Sequence, residues 1–182
     1  GNIGSGAGIE ISGQDMDYTI EHNLIFNNGA YATYAGVYIN GLQMGEITES
    51  EIEFLFSENI IVDNYVDESS SNEGSAGLSV GTIRTKNSAR VTISKNSILG
   101  NRSKSNSGAQ LNLIAESAIG HNNFTENLIS NNVCTSAGKA AVEFGGWGGY
   151  DSYGGALYTN NNIIDNDSEY IVKMGVTLVG SS

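Results

Sequence analysis

The chain has 182 residues, of which 20 are acidic and 8 basic, for a net charge of −12. No basic stripe exists to neutralise phosphates, which argues against nucleic acid and anionic membrane surfaces as partners. Proline is absent and Cys134 is the only cysteine, so an intrachain disulfide and a thiolate metal site are excluded. No apolar run approaches the ~20 residues of a membrane span.

Ile9-Glu10-Ile11 opens the chain's first apolar–polar alternation, which predicts a short strand with one buried face. A second alternation, Tyr18–His22, runs into the phrase NLIFNN at Asn23. The pattern then restarts. Val37-Tyr38-Ile39 and Phe54–Glu58 precede NIIVDN at Asn59; Leu78-Ser79-Val80 and Val91–Lys95 precede NSILGN at Asn96. Leu111-Asn112-Leu113 and Asn122–Glu126 precede NLISNN at Asn127; Val142-Glu143-Phe144 and Leu157–Asn161 precede NIIDND at Asn162, and Val172-Lys173-Met174 follows. The phrases recur 31 to 37 residues apart, the signature of a stacked repeat. Asn tolerates the left-handed backbone region, so each phrase-opening Asn is expected to make a tight bend. Stacked, these side chains should form a hydrogen-bonded ladder, with Ile25, Ile61, Ile98, Ile129 and Ile164 facing inward behind them. The prediction is an all-β chain with three strands per coil and five to six coils, rising about 4.8 Å per coil. A helical solenoid is excluded, because no segment sustains apolar residues at i, i+3, i+4 and i+7 and only 15% of residues are charged.

Three strands per coil with an Asn bend between two of them resembles the right-handed, single-stranded parallel β-helix of pectate lyases, their relatives and phage tailspikes. The resemblance spans roughly residues 6 to 179. The whole of 1–182 reads as one such domain. Neither Gly1-Asn2-Ile3-Gly4 nor the closing Val176–Val179 looks like the cap a solenoid end needs, so the chain is read as a section of a longer protein or as one capped by a partner. The acidic balance and the resemblance imply an extracellular or cell-surface setting.

A packed solenoid leaves chemistry to outward side chains and to loops at the bends. Two loops are long. Asn40–Glu53 carries Glu46, Glu49, Glu51 and Glu53, and Gly145–Ala156 (GGWGGYDSYGGA) holds the only Trp, Trp147, with Tyr150, Asp151 and Tyr153. Sugars stack their C–H faces on aromatic rings while carboxylates and phenols bind their hydroxyls, so Trp147, Tyr150 and Tyr153 are candidate sugar contacts. The alternative is a structural flap laid over the solenoid wall. The outward residues Glu10, Tyr38, Ser79, Asn112, Glu143 and Lys173 are expected to form one vertical row on the strand that follows the bend, which makes Tyr38, Asn112 and Lys173 further candidates. Glu143 with Asp151 is the carboxylate pair expected near the aromatic loop, the arrangement glycosidases use at separations of about 5–9.5 Å. Lyases that resemble this fold use a Lys or Arg on such a sheet. Their proline-containing arginine motif is absent, as are the Asn-Thr-Asp, Asp-Asp and Gly-His-Gly motifs of polygalacturonases. An ordinary ion pair between Glu143 and Lys173 is the other reading of that row.

No cofactor is expected; Gln14, Asp15 and Asp17 offer hard oxygen ligands for Ca²⁺, but one D-x-D is a weak signal. Cys134 reads as a small filler, and His22 and His121 as lone solvated side chains. The third strand of each coil presents Leu24, Phe26, Ile60, Val62, Leu99, Leu128 and Ile163 outward, an apolar stripe larger than a soluble monomer usually exposes. The expectation is a partner there: a homo-oligomer or a flanking domain. Two functions follow: a β-helix that binds or processes polysaccharide in a groove along one sheet, or a structural, adhesive module without catalysis.

Overall fold

A computed structural model describes residues 8–174 apart from 32, 46–50, 68–73, 86–88, 105–106, 116–120, 138–139 and 145–155. Among the described residues all regular structure is β, and every strand pairing is parallel. The chain winds as a solenoid past four sheets rather than three. Sheet I takes Ile9–Ile11, Val37–Ile39 with Leu42–Met44, Leu78–Thr85, Ala109–Ala115, Ala140–Phe144 and Tyr170–Met174. Sheet II takes Tyr18–Glu21, Glu53–Ser57, Arg90–Ser94, His121–Thr125 and Ala156–Thr159. Sheet III holds Leu24–Phe26, Ile60–Val62, Ser97–Leu99, Leu128–Ser130 and Asn162–Ile164. The fourth sheet, missed because its strands are too short to alternate, pairs Gly29–Ala30, Tyr65–Val66, Arg102–Ser103 and Val133–Cys134.

The Asn ladder is present and it is double. Asn23, Asn59, Asn96, Asn127 and Asn161 turn the chain from sheet II to sheet III. Asn28, Asn64, Asn101, Asn132 and Asn166 turn it from sheet III to sheet IV. At each step the backbone N–H and the Nδ2–H of one Asn both donate to the Oδ1 of the Asn in the next coil. Asn96 shows the pattern complete: its N–H and Nδ2 reach Asn127 Oδ1 at 2.9 Å, and its second Nδ2 hydrogen reaches the Phe56 carbonyl at 3.0 Å. Its own Oδ1 accepts from Asn59 N and Nδ2 at 3.0 and 3.1 Å. All four hydrogen-bonding positions of the buried amide are used, so its burial carries no unpaired polar group. The formal glycosylation triplets at Asn101 and Asn166 are chance matches, since both amides are committed to the ladder.

Two expectations about this corner change. The left-handed residue is not the Asn but the one before it: His22, Glu58, Lys95, Glu126 and Asn160 at the first corner, and Asn27, Asp63, Gly100, Asn131 and Asp165 at the second, all with φ between 52° and 63°. The ladder needs the Asn amide aimed along the solenoid axis, and the preceding residue absorbs the bend. The fifth phrase also begins one residue earlier than NIIDND implies. Asn161 takes the rung, because starting at Asn162 would put Asp167, which has no amide to donate, in the second ladder. The shift turns Ile163 inward beneath Ile129 and Ile164 outward, the reverse of the expectation, and turns Tyr158 inward beneath Phe124.

Inside, Ile25, Ile61, Ile98, Ile129 and Ile163 stack in one column behind sheet III, and Phe54, Phe56, Val91, Ile93 and Phe124 line sheet II. Each such side chain removed from water contributes about 1.5–3 kcal/mol. Gly8, Gly36, Gly77 and Gly108 lead into sheet I, where successive coils approach too closely for a side chain. A Cβ on Gly77 would sit 2.0 Å from the Gly108 carbonyl oxygen, and one on Gly36 would sit 2.5 Å from that of Gly77.

Candidate functional site

The outer face of sheet I collects the polar and aromatic residues that stacking does not consume. Its central row, in register, is Glu10, Tyr38, Ser79, Gln110, Glu143 and Lys173. Gln110 therefore holds the rung expected for Asn112. Leu111-Asn112-Leu113 alternates well, but small Ala109 fills the inward position opposite Leu78, and Asn112 falls two residues farther along, where the register shifts. Asn112 and Lys173 are placed here by backbone register alone. Trp147, Tyr150, Asp151 and Tyr153 lie outside the described residues, as do Glu46 and Glu49.

Tyr38 is the row's anchor. Its ring stacks on that of Tyr34, with centroids 3.7 Å apart and planes 9° from parallel. Tyr34 stands just ahead of the strand, bridged to Ser75 of the next coil. On the other side Tyr38 reaches over Gly81, whose Cα leaves room: a Cβ there would already lie 3.4 Å from the ring and its hydroxyl. Burial, then the neighbouring Tyr34 hydroxyl and Glu10, push the Tyr38 phenol up to about 12. The hydroxyl is thus a neutral hydrogen-bonding group at any physiological pH. One coil on, the Gln110 side chain is held by its Oε1, which accepts from Ser75 Oγ at 3.3 Å and Ser79 Oγ at 3.5 Å. Half-buried Glu143 follows. A stacked aromatic pair, an oriented amide and a carboxylate thus stand on three rungs, spaced about 4.8 Å apart.

The acidic loop is built differently from the expectation. Leu42–Met44 is not loop but a continuation of sheet I, paired with Ile83–Thr85, with Leu42 and Met44 facing the core and Gly41 supplying a left-handed turn at φ 63°. Beyond it, Glu51 and Glu53 join Asp17, Thr19, Ile52 and Arg90 around an open hollow of about 430 Å³ at the edge of sheet II. Arg90 approaches Glu51 at 3.9 Å, both exposed, while Asp17 accepts the Glu53 backbone N–H at 2.8 Å. Asp15 likewise accepts the Gly45 N–H at 2.6 Å. These carboxylates tie one coil to the next.

Sheet III carries the expected apolar face, corrected by one residue. Leu24, Ile60 and Leu128 share one outward column; Phe26, Val62, Leu99 and Ile164 share the other, with Leu24 65%, Phe26 54% and Ile60 44% exposed. Cys134 is buried, its Sγ 3.3 Å from the Lys104 carbonyl, as a filler would be. His22 is paired rather than alone, its Nδ1 3.4 Å from Glu58 across the corner. No helix among the described residues is long and apolar enough to cross a membrane.

Tyr34, Ser75 and Gln110 were not legible as site residues. Tyr34 lies outside the alternating strand, and Gln110 was hidden by the stronger alternation beside it. Compared with models of protein families, with curated proteins and with solved structures, the chain matches none.

Proposed function

We propose that this chain engages polysaccharide along the outer face of sheet I, as a secreted or cell-surface solenoid of the pectate-lyase-like and tailspike-like kind. The observation that carries the reading is the Tyr34–Tyr38 stack beside Gln110 and Glu143. A flat sheet repeats its side chains every coil at about 4.8 Å, close to the length of one pyranose unit, so a glycan chain laid along the axis meets an equivalent row at each residue. Aromatic faces supply apolar contact to the sugar ring and the amide and carboxylate supply oriented hydrogen bonds, the mixture a ligand site needs. Trp147, Tyr150 and Tyr153 extend this row as further stacking residues, with Asn112 and Lys173 as polar contacts. If the chain is catalytic, as a polysaccharide lyase or a glycoside hydrolase, Glu143 and Asp151 are the carboxylates proposed to act.

A glycan array read by the fluorescence of Trp147, followed by titration of any hit, tests this. Tyr38→Ala and Trp147→Ala are each expected to weaken binding by about 1–3 kcal/mol, with melting temperature little changed for Trp147→Ala. Glu143→Gln should abolish turnover while leaving affinity nearly intact, because it removes the ionisable proton and keeps the shape. Binding indifferent to Tyr38 and Trp147 would reject the site. The second reading, a structural or adhesive module without catalysis, is favoured by the apolar columns of sheet III, which are proposed to associate laterally with a homo-oligomeric partner or a flanking domain. It expects no glycan dependence and a marked loss of stability in Trp147→Ala.

A further inference from the structure

The two Asn ladders have a direction, and the two ends of the solenoid are consequently opposite in chemistry. Every interior Asn donates through N–H and Nδ2 toward the C-terminal coil and accepts through Oδ1 from the N-terminal one. At the far end, Asn161 and Asn166 donate Nδ2 back to the Phe124 and Ile129 carbonyls, and among the described residues their backbone N–H groups meet no acceptor. At the near end, Asn23 and Asn28 donate forward to Asn59 and Asn64, and their Oδ1 atoms accept from no described residue. Both pairs sit at the same two corners with the same separation along the chain. One end therefore offers two donors where the other offers two acceptors.

We propose that the C-terminal face of one molecule docks the N-terminal face of a second copy, continuing both ladders across the junction. The remaining positions agree. The sheet I row ends at Lys173 and begins at Glu10, so stacking in register places opposite charges on neighbouring rungs. On sheet II, Ser57 already donates its hydroxyl to the Glu21 carboxylate within the chain; the same column ends at Thr159, which would meet Glu21 of the next copy in the same way. Inward, Ile163 meets Ile25 and Tyr158 meets Ile20, each the next member of its own column. The exposed end of sheet I, with Ile171 and Val172 open to solvent, becomes an interior strand pairing. The contact is head-to-tail and does not close on itself, so it generates filaments whose axis is the solenoid axis.

Sedimentation velocity across a concentration series of the 182-residue chain, with electron microscopy of the concentrated sample, tests this. The expected result is concentration-dependent linear assemblies, with a 4.8 Å repeat along the filament. Glu10→Lys and Lys173→Glu should each weaken assembly by on the order of tenfold or more, by juxtaposing like charges, and the double exchange Glu10→Lys/Lys173→Glu should restore it. Circular dichroism of each variant confirms that the fold is kept. Ile60→Lys, on sheet III, should leave linear assembly unchanged. A chain that stays monomeric at high concentration overturns the proposal. So does assembly lost in Ile60→Lys yet indifferent to both charge reversals, which assigns the contact to the apolar side instead.

Discussion

The two flanks of this solenoid obey different rules. On the flank formed by sheets II, III and IV, the two ladder asparagines of each coil keep the same separation five times over, from Asn23 and Asn28 to Asn161 and Asn166. On the flank that leads to sheet I the chain is free to vary. It uses residues 65–77 to return from Asn64 to Leu78, but only 102–108 from Asn101 to Ala109. A buried ladder tolerates no insertion, because one extra residue would misplace every amide beyond it. Loop length on the other flank costs little, rising only slowly with chain length. Stability is concentrated where the spacing is constant, and the polar and aromatic residues free to contact a ligand are concentrated where it is not.

The largest effect that tests this contrast is expected at the ladder. Asn96→Ala removes an amide with four partners and leaves Asn59 Nδ2 and N–H without their buried acceptor. The expected cost is about 3–4 kcal/mol, measured by denaturant unfolding. Asn64→Ala should cost a similar amount, although only the repeated closing Asn of the phrase marks that position. A loss below about 0.5 kcal/mol at either site would mean that the ladder is not the source of rigidity.

Gly77→Ala comes next. Its Cβ would lie 2.0 Å from the Gly108 carbonyl, a backbone atom that cannot step aside without opening sheet I. About 2–3 kcal/mol of destabilisation is expected. Gly81→Ala, whose Cβ meets only the Tyr38 ring at contact distance, should be much milder.

A smaller effect is expected from pH. The Tyr38 and Tyr158 phenols are both pushed up to about 12, mainly by burial. An unfolded chain ionises its tyrosines near 10, so this contribution is intact below pH 10 and is lost as pH rises from there through 12. Tyr158→Phe should flatten the alkaline limb of the stability–pH profile. An unchanged limb would place the ionisation elsewhere.

How much of this was legible follows from which interactions leave a periodic mark. The phrase with Asn at its head and an inward Ile two residues on declared the solenoid, its axis and its buried columns, because every coil must repeat the same contacts. The left-handed residue before each Asn was not legible, since His, Glu, Lys and Asn share no composition that identifies a backbone angle. The last coil misled by one residue because Asn161 and Asn162 are adjacent, and only the demand of the second ladder for Asn166 chooses between them. The same ambiguity misplaced Ile164 and Tyr158. On sheet I, side-chain alternation favoured Asn112, whereas backbone pairing with Leu78 and Ser79 selected Gln110. Tyr34 reaches the site through ring stacking, an interaction that depends on a side-chain position outside any strand period.

The most direct test of the division between the two flanks is amide hydrogen exchange with and without the oligosaccharide selected on the array. Added protection is expected at Tyr34–Ile39 and Ala109–Leu113, with sheet III unchanged because its ladder is already protected. Protection confined to Ile60–Val66, or none on sheet I, would contradict the assignment of ligand contact to that face.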